Sequence, residues 1–237
     1  MKKILVGLTT TPSSNWREKV EEAKKFNIKE VALFPTFLVS GERVELYKLI
    51  ENSPIKSIPH VHLRDDMEEW ELDYFVENYG TQLFNIHASE NNLNLPGFSR
   101  YSHMMYVENI LEIDNSFAKA LQKCAGICLD VSHYEDFGFR VKECDYSRFA
   151  SMLQKNKVGC CHISAIMEKS RKEYYDKLDK ELDIYNNHFM NNLSELDYVS
   201  NYLAYLPEII SIELENDFAS QLKAKEHLNK IINEKYE

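Results

Sequence analysis

The eight histidines and the many acids of this chain fall at particular places. In GICLDVSHYEDFG (126–138) an apolar run ends at Asp130, and His133 follows three residues later. Other apolar runs end alike: IKSIPHVH in His60 and His62, TQLFNIH in His87, HMMYVENI around Glu108, VGCCHIS around His162, and IISIELE in Glu213 and Glu215. One histidine or acid at a strand end is ordinarily a hydrogen-bonded core or loop residue. Six successive runs ending in imidazoles or carboxylates point further, because those donors converge on first-row divalent ions. Without thiolates in the pattern, zinc, manganese, cobalt or iron fit. Several imidazoles argue against magnesium, and calcium prefers an all-oxygen shell. Cys160 and Cys161, beside His162, read as small core residues.

Such donors can meet only if the runs lie side by side and point the same way. Short apolar segments alternate with longer amphipathic ones along the whole chain, the pattern of βα units around a parallel sheet. Strands are expected at 3–9, 29–34, 55–62, 81–87, 103–110, 126–131, 158–164 and 209–214. Helices are expected at 15–26, capped by Ser13 or Ser14, then at 41–52, 67–79, 114–124, 145–156 and 218–235. A loose loop covers 90–100, and a long polar, helical stretch follows the seventh strand. Eight such units in 237 residues, with no Pro-, Gly- or Ser-rich linker, fit an α/β fold of one domain over 1–237. That fold is the (β/α)8 TIM barrel, which typically takes about 250 residues and gathers its active site at the C-terminal strand ends. An open doubly wound sheet would want a Gly-rich phosphate loop, which this chain of seven glycines lacks after every strand.

Apolar residues at 44% and charged residues at 28% exclude disordered and fibrous classes. A net charge of -10 argues mildly against a broad nucleic-acid surface. Five cysteines without a Cys-x-x-Cys pair read as reduced residues of a cytoplasmic protein. No apolar run reaches the roughly 18 residues of a membrane span, and the N-terminal run is too short for a signal peptide. Lys169 and Arg171, just past the seventh strand, read as a solvated helix start, with a clamp on a substrate phosphate or carboxylate as the sharper alternative.

The strand-end motifs resemble those of the xylose isomerase-like TIM-barrel superfamily, which includes sugar isomerases and epimerases and also endonuclease IV. LDVSH (129–133) is similar to its Leu-Asp-x-x-His sixth strand, IPH (58–60) to its third, NIHAS to its fourth and VEN to its fifth. CHIS is similar to the seventh strand and SIELEN to the eighth. The resemblance implies a metal site with Glu108, Asp130, His162 and a strand-8 glutamate as core ligands. Glu213 is preferred over Glu215, which shares its strand face. NNHFMNNLSELDY makes His188 the equivalent of a further family histidine.

Two chemistries come with that resemblance. In the isomerase and epimerase branch one ion, zinc or manganese, binds vicinal oxygens of a small sugar or polyol. Glu108 and Glu213 would then act as acid and base, with His133 or His60 orienting an oxygen. This branch is the expectation. In the endonuclease IV branch up to three zinc ions would sit on His60, His87 and Glu108; on Glu108, Asp130, His162 and Glu213; and on His133 and His188. Asn186 stands where that branch has an aspartate ligand, and the loops after strands 1 and 2 lack a basic and aromatic cluster for inserting into DNA. Phosphodiester hydrolysis, on nucleic acid or a smaller ester, is therefore the alternative, and a non-catalytic metal-binding barrel is the third.

Overall fold

A computed structural model of the chain describes residues 2–11, 14–176 and 178–233. In chain order its strands are β1 (Lys3–Leu5), β2 (Gly7–Thr9), β3 (Glu30–Phe34), β4 (Ser57–His62), β5 (Leu83–His87), β6 (Met105–Glu108), β7 (Gly126–Asp130), β8 (Val158–Ile163), β9 (Ala165–Tyr175), β10 (Lys180–Asn187) and β11 (Ile209–Ile212). The helices are α1 (Trp16–Lys25), α2 (Ser40–Glu51), α3 (Glu69–Tyr79), α4 (Glu90–Leu93), α5 (Phe98–Tyr101), α6 (Asn115–Lys123), α7 (Val131–Glu135), α8 (Phe149–Lys155) and α9 (Phe218–Asn233).

Nine parallel strands follow the order β1-β11-β8-β7-β6-β5-β4-β3-β2, a nearly closed barrel with helices around it. The two ends of that order are halves of one chain segment, split at Val6. β1 pairs with β11, while β2 pairs with β3, so the first strand divides its hydrogen bonds between two neighbours. Gly7 allows this crossing: a Cβ there would lie 2.1 Å from the Ile212 carbonyl oxygen. The Gly7 backbone turns to Gln221 of α9, which accepts from its N–H (2.7 Å) and donates to its carbonyl (2.9 Å).

Local signals set the helix ends. Asn15 caps α1 by accepting from the Glu18 N–H (3.3 Å), in place of the serines expected there, of which Ser13 lies outside the described residues. α3 stops at Gly80 in the left-handed region, φ 62°. Between α2 and α3 a buried Arg43 guanidinium donates twice to Glu71 (2.8 and 2.9 Å), and Tyr47 donates to the same carboxylate (2.5 Å). Apolar side chains pack between sheet and helices, and a smaller set including Leu5, Phe34, Tyr106, Cys128 and Cys160 fills the barrel. No described helix is long and apolar enough to cross a membrane.

The stretch expected to be helical after the seventh strand opens instead as a hairpin and turns helical only in the 3-10 segments Leu193–Asn201 and Leu203–Tyr205. β9 and β10 form an antiparallel hairpin, with Tyr175 opposite Lys180 and Ala165 opposite Asn187. Lys169 and Arg171 are exposed residues of β9 and start no helix. Good helix formers line β9, but pairing with β10 satisfies its backbone instead. The loop expected at 90–100 contains the single turn α4 and most of α5, which ends at Tyr101, and the last expected residues of the final helix lie beyond those described.

Candidate metal centre

The parallel register levels the strand ends in pairs, with a two-residue step between one pair and the next. His87 stands opposite Glu108, and Asp130 opposite His162. Asp130 ends β7 and at once caps α7, its Oδ1 accepting from the His133 N–H (2.7 Å) and the Ser132 hydroxyl (2.6 Å). That cap turns His133 back over the barrel, with Nδ1 3.4 Å from Asp130 Oδ2. The LDVSH spacing thus has a local cause: one oxygen of Asp130 holds the turn and the other faces the site.

Glu108 sits at the middle. Its Oε2 lies 3.2 Å from His62 Nε2 and 3.5 Å from His162 Nδ1, and its Oε1 lies 3.8 Å from both His87 Nε2 and His133 Nδ1. On one side His62 Nε2 and His87 Nε2 are 3.2 Å apart. On the other, His162 Nδ1 is 3.2 Å from Glu213 Oε2 and 3.9 Å from Asp130 Oδ2. Of the donor groups whose atoms lie within 4.8 Å of one another among the described residues, His62–His87–Glu108 and Asp130–His162–Glu213 flank Glu108 at the mouth, Glu108–Asp130–His133 and Glu108–Cys128–His162 overlap them, and His60–Cys128–Cys160 lies one layer deeper.

These spacings fit ions. A tetrahedral ion with bonds of roughly 2.0–2.1 Å holds its ligand atoms about 3.3 Å apart, longer than a charge-assisted hydrogen bond. Asp130 Oδ2 and His162 Nδ1, which face the site, are buried without a hydrogen-bond partner, a costly state that a cation bound between them would relieve. The electrostatics agree. Against the effect of burial, the Glu108 and Glu213 carboxylates raise His162 to about 10. Burial likewise opposes, and His188 and His162 overcome it, in lowering Glu213 to about 2, while His162 and His62 hold Glu108 well below the usual carboxylate range. Burial, abetted by the Glu108 charge, raises Asp130. His133 is raised by Asp130, Glu108 and Glu213 in spite of burial.

The other candidate residues are placed differently. His60 is not at the mouth but one layer deeper, between Ser211 Oγ (2.7 Å) and Asn85 Oδ1 (2.9 Å), and His62 occupies the strand-3 position at the mouth. Glu213 lies in the site, while Glu215 lines a separate cavity with Lys19 and Glu22. His188 is at the rim, Nδ1 3.9 Å from Glu213 Oε1. Asn186 turns its amide to Asp136, whose Oδ2 also accepts from the Tyr185 and Asn186 N–H groups and so pins the hairpin to the barrel. Arg171 is occupied by Glu173 and the Asn186 carbonyl. Lys169 lines a 660 Å³ cavity with Arg140 and Glu195, apart from the metal-ligand groups.

A smaller 180 Å³ cavity lies directly over the donors, walled by Thr9, Thr36, Phe37, His133 and His188. Thr9 and Asn85 are site residues that the sequence motifs did not single out. Thr9 Oγ1 is buried and unpartnered, and Asn85 Nδ2 donates to Glu108 Oε2 (2.5 Å). The signal for Asn85 is an amide inside the apolar run LFNIH, two residues before His87 and so on the same strand face.

No known family's sequence model matches the chain, and no curated protein sequence matches it. Among solved structures, the chain is similar to one described as the crystal structure of a xylose isomerase-like TIM barrel protein from Mycobacterium smegmatis in complex with magnesium. The similarity has 7% identity and a TM-score of 0.46, covering 98% of this chain and 97% of that one.

Proposed function

We propose that this protein is a divalent-metal-dependent hydrolase of a small phosphate ester, working at a centre of two ions that share Glu108. The observation that carries this is the pair of donor groups on the two sides of one carboxylate. His62, His87 and Glu108 would hold one ion, and Glu108, Asp130, His162 and Glu213 the other. When bound, the ions supply Lewis acidity, activating water and neutralising charge on a phosphoryl group. His133 and His188, at the rim and partly exposed, are placed to orient substrate oxygens, and the Thr9 hydroxyl is free to donate from the opposite wall.

Two features favour a small ester over duplex nucleic acid. Polyanion binding draws on Lys and Arg contacts to successive phosphates, whereas Arg64 is committed to Asp66 and the Thr36 carbonyl, and Arg171 to Glu173. The cavity over the donors is also small, at 180 Å³. The isomerase or epimerase alternative draws on Glu108 and Glu213, two carboxylates on either side of His162 that would serve as acid and base around a single ion. Metal analysis of the purified protein, together with assays on an aryl phosphodiester and a ketose, separates them. Two ions per chain with ester cleavage supports hydrolysis. One ion with solvent proton exchange into the ketose, and no cleavage, refutes it in favour of isomerisation.

A further inference from the structure

Beneath the donor groups runs a hydrogen-bonded column that neither group uses. Glu108 Oε2 accepts from Asn85 Nδ2 (2.5 Å), Asn85 Oδ1 lies 2.9 Å from His60 Nε2, and His60 Nδ1 lies 2.7 Å from Ser211 Oγ. Asn85, His60 and Ser211 are all fully buried, so each of these bonds is costly to leave unmade.

The direction of the column follows from its top. An ionised carboxylate only accepts, so the Asn85 amide must turn its NH2 to Glu108 and its carbonyl down. That carbonyl also only accepts, so His60 must carry a proton on Nε2. The Ser211 hydroxyl can then donate to the ring lone pair at Nδ1.

We infer that Asn85 and His60 are positioning residues for Glu108. With Oε2 held from below, the carboxylate cannot rotate freely about its stem. Oε2 stays toward His62 and His162, and Oε1 toward His87 and His133. Free rotation would scramble these contacts, and the column fixes which oxygen meets which imidazoles, with Oε2 between the two donor groups and Oε1 turned to His87 and His133. Outer-shell partners of this kind, when removed, typically cost about 10- to 100-fold in metal affinity. This assignment rests on the proposed metal role of Glu108.

The test titrates Co2+ into chelator-stripped wild type, Asn85→Ala, His60→Leu and His60→Gln, with thermal melts of the metal-free forms as a check on folding. Asn85→Ala and His60→Leu should bind Co2+ about 10- to 100-fold more weakly than wild type. His60→Gln, whose amide can still donate to Asn85 Oδ1, should recover affinity to within about threefold, since it restores a bond worth roughly 1 kcal/mol. Wild-type and variant affinities that are equal overturn the positioning role while leaving a metal-binding Glu108 intact. Wild type that takes up no Co2+ overturns both. If the variants do not fold, the histidine 15N–1H correlations of metal-free wild type decide: the proton of His60 on Nε2 supports the column, and a neutral ring with its proton on Nδ1 overturns it.

Discussion

Asp130→Asn separates a metal ligand from a merely structural acid. Asp130 caps α7 with Oδ1, while Oδ2 is buried and unpartnered. Asparagine keeps a carbonyl oxygen for the cap and puts an NH2 where the free oxygen was, so the helix cap survives and the ligand does not. Without metal, burial and the nearby Glu108 charge already raise the Asp130 pKa, so neutralising it should leave the melting temperature unchanged or higher. With metal the order reverses. An ion present at about 1,000 times its Kd stabilises the native state by about 4 kcal/mol. The unfolding entropy of 237 residues is about 0.5 kcal/mol/K, which turns that into a rise of about 8 °C in Tm. Calorimetry of stripped wild type and variant, with and without Zn2+, Mn2+, Co2+ and Mg2+, should show the full rise in wild type and less than half of it in the variant. The reasoning is refuted if wild type gains nothing from any of the four ions, or if the stripped variant melts several degrees below stripped wild type.

Metal uptake should release protons. His162, raised to about 10 by Glu108 and Glu213 despite burial, gives the metal-free protein stability that is present below about pH 6.5 and lost as pH rises through about 10. An ion needs the neutral ring, so titration calorimetry near pH 7.5 in buffers of different ionisation enthalpy should find about one proton released per ion bound at His162, and none refutes the ligand assignment. Replacing Arg43 by Met strands the buried Glu71 carboxylate and should cost about 3–5 kcal/mol in urea unfolding, and a loss below about 1 kcal/mol would show that the pair is not buried as described.

The barrel was legible because each of its strands is a short apolar run and each run is followed by a segment that can lie over it. The hairpin was not, and its two strands explain why. β10 buries Leu182, Ile184 and Asn186, exposes Asp183 and leaves Tyr185 half-buried, a period of two. β9 is exposed along Glu168–Lys172, and its Glu, Lys and Arg residues carry no face at all, so propensity alone suggests a helix. The pairing that decides the matter is a tertiary contact. The split of the first strand is equally invisible in KILVGLT, because it follows from where the barrel closes, and only Gly7 hints at the close approach.

In the site, spacing told more than depth. Asp130 and His133 were legible because a cap fixes residues three apart. His60 and His62 show the opposite case. Residues two apart in a strand share a face, so either histidine satisfies the pattern, and the stagger between neighbouring strands decides which one reaches the mouth. β4 is paired so that His62 lies opposite Asn85 and His60 opposite Leu83, which puts His87 and Glu108 one step above. The same step recurs around the barrel: His60 below His62, Asn85 below His87, Cys128 below Asp130, Cys160 below His162 and Ser211 below Glu213. Each mouth residue therefore has a partner two positions earlier that faces the same interior. Where that partner is polar, as at His60, Asn85 and Ser211, it lies below the cavity over the donors and is joined to the layer above by hydrogen bonds. A buried polar residue two places before a strand-end donor is thus what the sequence offers of a supporting layer, and the choice between His60 and His62 that the strand pattern leaves open turns on that depth.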